Sequence, residues 1–143
     1  MKKVAAYRIE GTVLLQAMSL TDTGLWIAHG EVLSIRADDP AGLASAIRES
    51  LEHSIEGVAH PPQSEWQRIQ RPILHAAGVK RWAALGKKAT AVGVEWTGAT
   101  VAFIPSVDFR HHGGEDSDEH TIHCGMDDAR LGAKLLEAFE HAN

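Results

Sequence analysis

With 143 residues, 44% of them hydrophobic and 23% charged, the chain is long enough for one sizeable core, so a single domain spanning 1–143 is expected. The formal charge of −5, without a convincing basic stripe, argues against a nucleic-acid reader. No apolar run approaches the roughly 18 residues of a membrane span. Arg8 and Glu10 interrupt what would be the apolar part of a secretory signal, and a lone Cys124 fits a reducing, cytoplasmic setting.

The first third reads as β structure. Short apolar or alternating runs at 4–9, 12–17, 25–28 and 31–35 are punctuated by Gly11, by Asp22-Thr23-Gly24 and by His29-Gly30. The period then changes. Asp39 before Pro40 is a helix start, with a side-chain acceptor for the cap and a residue whose missing N–H is not needed. Leu43, Ile47 and Leu51 form the apolar stripe of that helix, and Gly57 is a candidate end for it. His60-Pro61-Pro62 forces an extended link.

A second helical stretch starts near Ser64, with Pro72 expected to interrupt or kink it and Gly78 to reset the chain. A short helix carrying Val79, Trp82 and Leu85 follows. Residues 91–96 and 100–104 around Thr97-Gly98-Ala99 read as a β-hairpin, with Pro105 ending its second strand. A polar loop over 106–119 leads to a short strand at 121–124. Asp127-Asp128 mark the start of a closing helix that shows Leu131, Leu135, Leu136 and Phe139 on one face. Three strands, two helices, three strands and a helix leave little room for βαβ crossovers. The expected fold is α+β, an antiparallel or mixed sheet with helices packed mainly on one face.

The segment 108–124 holds the densest chemistry. His111, His112, His120, His123 and Cys124 are possible ligands for a metal such as Zn²⁺, and they frame the alternative of a small metal-dependent enzyme or metal-binding protein. Strand alternation opposes that reading, because it turns His123 and Cys124 to opposite faces. Paired C-x-x-C and H-E-x-x-H motifs, a Walker loop and a nucleophile elbow are all missing from the sequence. The expectation is therefore a non-catalytic protein without metal or cofactor. Trp26, Trp66, Trp82 and Trp96 all lie in apolar stretches and are expected at the core or its rim, although aromatics also serve as interface anchors. Between 107 and 128, Asp108, Glu115, Asp116, Asp118, Glu119, Asp127 and Asp128 face a single Arg110. Such a run is either a solvated loop or an acidic surface that docks into a basic groove.

Several scattered features together resemble immunity proteins of bacterial contact-dependent growth inhibition systems. They are Trp82, Lys87-Lys88-Ala89, Val92-Gly93-Val94, Val101-Ala102-Phe103-Ile104-Pro105-Ser106, and Leu131-Gly132-Ala133-Lys134-Leu135-Leu136-Glu137-Ala138. Thr21 to Gly24 with Leu25-Trp26-Ile27, and the helix over 39–51, are similar to the same family, so the likeness covers most of the chain. The glycine- and acid-rich stretch 111–119 lies outside it. The resemblance implies a cytosolic antitoxin in bacterial competition. It would bind, as a monomer in a 1:1 complex, a cognate toxin domain at the C-terminal end of a large secreted adhesin-like protein. Many such toxins are nucleases, whose phosphate-binding sites suit an acidic inhibitor. The expected toxin-binding residues are Arg110, His111, His112, Glu115, Asp116, Asp118, Glu119 and His120, with nucleic acid and membrane excluded as partners.

Overall fold

A computed structural model describes residues 1–111 and 114–143. The strands β1 (Lys2–Ile9), β2 (Thr12–Thr21) and β3 (Trp26–Arg36) form a meander, followed by α1 (Pro40–His53) and β4 (Glu56–Val58). A 3₁₀ turn at Gln63–Glu65 feeds α2 (Trp66–Ala77), and α3 (Trp82–Lys88) follows. The hairpin β5 (Thr90–Trp96) and β6 (Val101–Val107) comes next, then β7 (Glu115–Asp116), a 3₁₀ turn at Asp118–His120, β8 (Ile122–Cys124) and α4 (Leu131–Phe139).

These strands make one eight-stranded sheet in the order β3-β2-β1-β5-β6. The outer side of β6 is shared, with β8 pairing along Val101–Phe103 and β7 along Ser106 and Val107. All pairs are antiparallel except β4 on the end of β2, so the sheet is mixed. The α+β class expected from the sequence is what the structure shows.

The helices, expected mainly on one face, cover both. Val4, Ala6, Val13, Leu15, Val92, Val94, Val101 and Phe103 point to the face packed by α1 and α4, through Leu43, Ile47, Leu51, Leu131 and Leu135. The opposite face carries Tyr7, Leu14 and Ala91, side by side through the pairings Tyr7↔Leu14 and Tyr7↔Ala91. That second apolar set would cost about 1.5–3 kcal/mol per large side chain if left in water, and α2 and α3 cover it with Ile73, Ala77 and Leu85. β1 and β2 are apolar on both sides, which an expectation of strict in–out alternation overlooks.

Local rules account for the element ends. The Asp39 carboxylate accepts from the Gly42 N–H at 3.0 Å and caps α1. That helix ends at Ser54, not at Gly57, which lies within β4. The helix α2 runs through Pro72 because the buried Ile73 and Ala77 beyond it hold the last turns against the sheet, and Gly78 closes it in the left-handed conformation. Instead of two runs, β3 is one strand. Ala17 of β2 faces a bulge at residues 29–31, held where Gln16 Nε2 donates to the Gly30 carbonyl at 2.9 Å. Likewise β6 passes Pro105, whose carbonyl accepts from the Ser117 N–H at 2.8 Å.

Candidate protein-binding surface

The segment singled out by composition leaves the end of β6 and is anchored at its base. Phe109 is buried in the second core, with its ring centroid 5.8 Å from Tyr7 and 6.1 Å from Trp82. Asn143 clamps the same stretch. Its carbonyl accepts from the Phe109 N–H at 2.8 Å, its side-chain oxygen from the Asp108 N–H at 2.6 Å, and its own N–H donates to the Ser106 carbonyl at 3.1 Å. Gly114 is obligatory here. Its φ is +75°, and a Cβ would sit 2.8 Å from the Val107 carbonyl oxygen and 2.9 Å from the Phe109 Cα. The polar loop expected from the sequence is therefore pinned to the core at one end and to β6 through β7 at the other.

Its charged tips stay in solvent. Arg110, His111, Glu115, Asp116, Asp118, Glu119 and His120 are all exposed, while His112 lies outside the described residues. His111 Nδ1 pairs with the Asp108 carboxylate, and His120 stacks on His141 at 4.4 Å between centroids. Among the described residues, Glu115, Asp116, Asp118 and Glu119 have no ion-pair partner, so their charge is available to another molecule.

Among the described residues, the candidate metal ligands do not meet. Cys124 packs toward the first core and His123 is exposed on the other face of β8, as alternation predicts. Among the described residues no three His, Cys, Asp or Glu side chains converge. Burial, with the nearby Asp128 charge second, raises the Cys124 thiol above its usual range, the reverse of an activated nucleophile. All four tryptophans are half-buried, as expected for residues at the rim of a core. No helix among the described residues is long and apolar enough to cross a membrane.

Sequence reasoning underrated the cations of α2 and α3. Of Lys80, Arg81, Lys87 and Lys88, Lys88 serves a helix end, donating to the Ala77 carbonyl at the end of α2 at 2.9 Å. The available signal was the complete absence of Asp and Glu from 66 to 94.

These features define a small α+β protein whose exposed chemistry is arranged charge on a rigid scaffold. No family model matches the chain, and no curated protein matches it in sequence. Solved structures do match in fold. A Neisseria meningitidis protein of unknown function superposes with a TM-score of 0.79 at 15% identity, over 99% of this chain and 95% of that one. A chain of the CdiA-CT/CdiI toxin and immunity complex from Yersinia pseudotuberculosis superposes with a TM-score of 0.77 at 10% identity, over 99% of this chain and 97% of that one. The fold shared with a chain of that complex therefore extends along nearly the whole of this chain.

Proposed function

We propose that this chain is an immunity protein that binds a cognate toxin domain of a contact-dependent growth inhibition system and blocks its active site or substrate path. The observation that carries this reading is the whole-chain fold likeness to a protein of a toxin and immunity complex. The likeness fits a non-catalytic role. We assign the partner to the C-terminal region of a large secreted adhesin-like protein, place the encounter in the cytosol of the receiving cell, and expect one copy of each chain in the complex.

The finer reading is that the toxin is a nuclease and that the exposed carboxylates of residues 115–119 take positions its site offers to phosphate. Supporting it are the four exposed carboxylates, which have no ion-pair partner among the described residues, and the hydrogen-bonded base that presents them. The test is growth rescue. Cells expressing the toxin domain encoded beside this gene should stop growing, and co-expression of this chain should restore growth while an unrelated immunity protein does not. Persistent growth arrest in the presence of folded chain would reject the proposal.

A further inference from the structure

We infer that α2 and α3 form a second, basic docking surface that is continuous with the acidic segment and receives an acidic patch on the same partner domain. The inference rests on the toxin-binding reading above and extends it. From Trp66 to Val94 the chain carries Arg68, Arg71, Lys80, Arg81, Lys87 and Lys88 with no carboxylate, leaving eight cations against nineteen carboxylates elsewhere. All six cations are exposed. Arg68 is engaged by Glu65 at 2.8 Å and Lys88 by the Ala77 carbonyl. Among the described residues, Arg71, Lys80, Arg81 and Lys87 make no ion pair or side-chain hydrogen bond. A chain of net charge −5 keeping four cations without a partner among the described residues, on two helices and the turn between them, has an electrostatic feature that these contacts do not use.

The surface is shaped as well as charged. Arg71, His75, Lys80 and Arg81 line a cavity of about 530 Å³ together with the half-buried Leu74 and Trp82. A half-buried tryptophan sharing a cavity wall with Arg71, Lys80 and Arg81 has the composition of an interface anchor. On the other side of α3, a cavity of about 560 Å³ is shared by Lys87, Lys88, Asp108 and Arg110. Lys87 and Lys88 thus share a wall with the base of the acidic segment. A Cβ on Gly86 would lie 3.3 Å from the Arg110 Cα, so α3 and the base of the acidic segment touch directly. Trp82 and Tyr7, at 6.2 Å, and the contacts both make with Phe109 hold the junction.

A single rigid surface carrying both signs selects a partner with the reverse pattern, a basic site flanked by an acidic rim. A nucleic-acid strand fits it poorly, because the chain carries a net charge of −5 that opposes a polyanion. An acidic rim around a basic site meets no such opposition.

The test is the variant Arg71→Glu/Lys80→Glu/Arg81→Glu, with Arg71→Gln/Lys80→Gln/Arg81→Gln as a milder second, titrated calorimetrically against the toxin domain. The Glu variant should bind about tenfold or more weakly and the Gln variant by an intermediate factor, with circular dichroism unchanged in both. A wild-type complex whose affinity neither variant alters would overturn the basic docking surface and leave the toxin reading standing. Absence of a wild-type complex would remove the reading on which it rests. Binding of a labelled RNA or DNA oligonucleotide by the wild type, lost in the variants, would contradict the assignment to an acidic protein partner.

Discussion

The packing of α4 across the start of α1 makes a quantitative prediction at Gly132. A Cβ added there would overlap the Pro40 carbonyl oxygen, with the carbonyl carbon at 2.8 Å and the Pro40 Cα at 3.1 Å. In an isolated helix, Gly→Ala gains about 1 kcal/mol. Here the neighbour is backbone in the first turn of α1, so no rotamer change relieves the overlap and the two helices must separate. Overpacking of this kind costs about 1–3 kcal/mol. Separation also loosens Leu131 and Leu135 from Leu43 and Ile47, and partial exposure of one such side chain adds about 1–2 kcal/mol. The net expectation for Gly132→Ala is a loss of about 2–3 kcal/mol despite the better helix former. In urea, followed by tryptophan fluorescence, the midpoint should fall while the slope is unchanged. Gly93→Ala is the control, because its nearest contact would be the Ile104 carbonyl oxygen at 3.9 Å; it should stay within about 0.5 kcal/mol of wild type. A Gly132→Ala protein as stable as wild type would refute the described seating of α4 on α1.

Neutralising Glu115, Asp116, Asp118 and Glu119 together, as Gln and Asn, should weaken the toxin complex by about tenfold at low salt and flatten its salt dependence; unchanged affinity would rule the acidic segment out of the interface. Tyr7 is the only tyrosine, and burial pushes its phenol up to about 12. Its absorbance titration should therefore have a midpoint near 12 in the folded protein and the ordinary value once unfolded. Because the folded state holds that proton more tightly, its stabilising effect is complete below about pH 10 and is lost as pH rises toward about 12, a fall on the order of 2–3 kcal/mol. Cys124, raised by burial, should react with a disulfide reagent at pH 8 more slowly in the native protein than in urea.

Much of the architecture was legible because its signals are local. Asp39-Pro40 marks the start of α1, and Thr97-Gly98-Ala99 marks the β5–β6 turn. What escaped depends on three-dimensional neighbours. The second helical layer is required by Tyr7, Leu14 and Ala91, whose shared face is set by strand register and not by any one run of sequence. Continuity of β3 through its bulge depends on a bond from Gln16, and extension of β6 past Pro105 depends on β7 supplying a partner from ten residues further on. At the candidate surface, the exposure of Glu115, Asp116, Asp118 and Glu119 follows composition. Anchoring by Phe109, Gly114 and Asn143 does not, since each depends on distant backbone. The cations of α2 and α3 were visible one by one, but their assembly on one side of the sheet, touching the acidic segment at Gly86, appears only once the chain is folded.

The most direct test of the central claim is a co-purification in which only the toxin domain carries the tag and the mass of the eluted species is measured by light scattering. The account predicts that this chain elutes with the toxin as a stoichiometric one-to-one complex, and that the bound toxin is inactive. Toxin that elutes alone and fully active, with this chain folded and in excess, would contradict it.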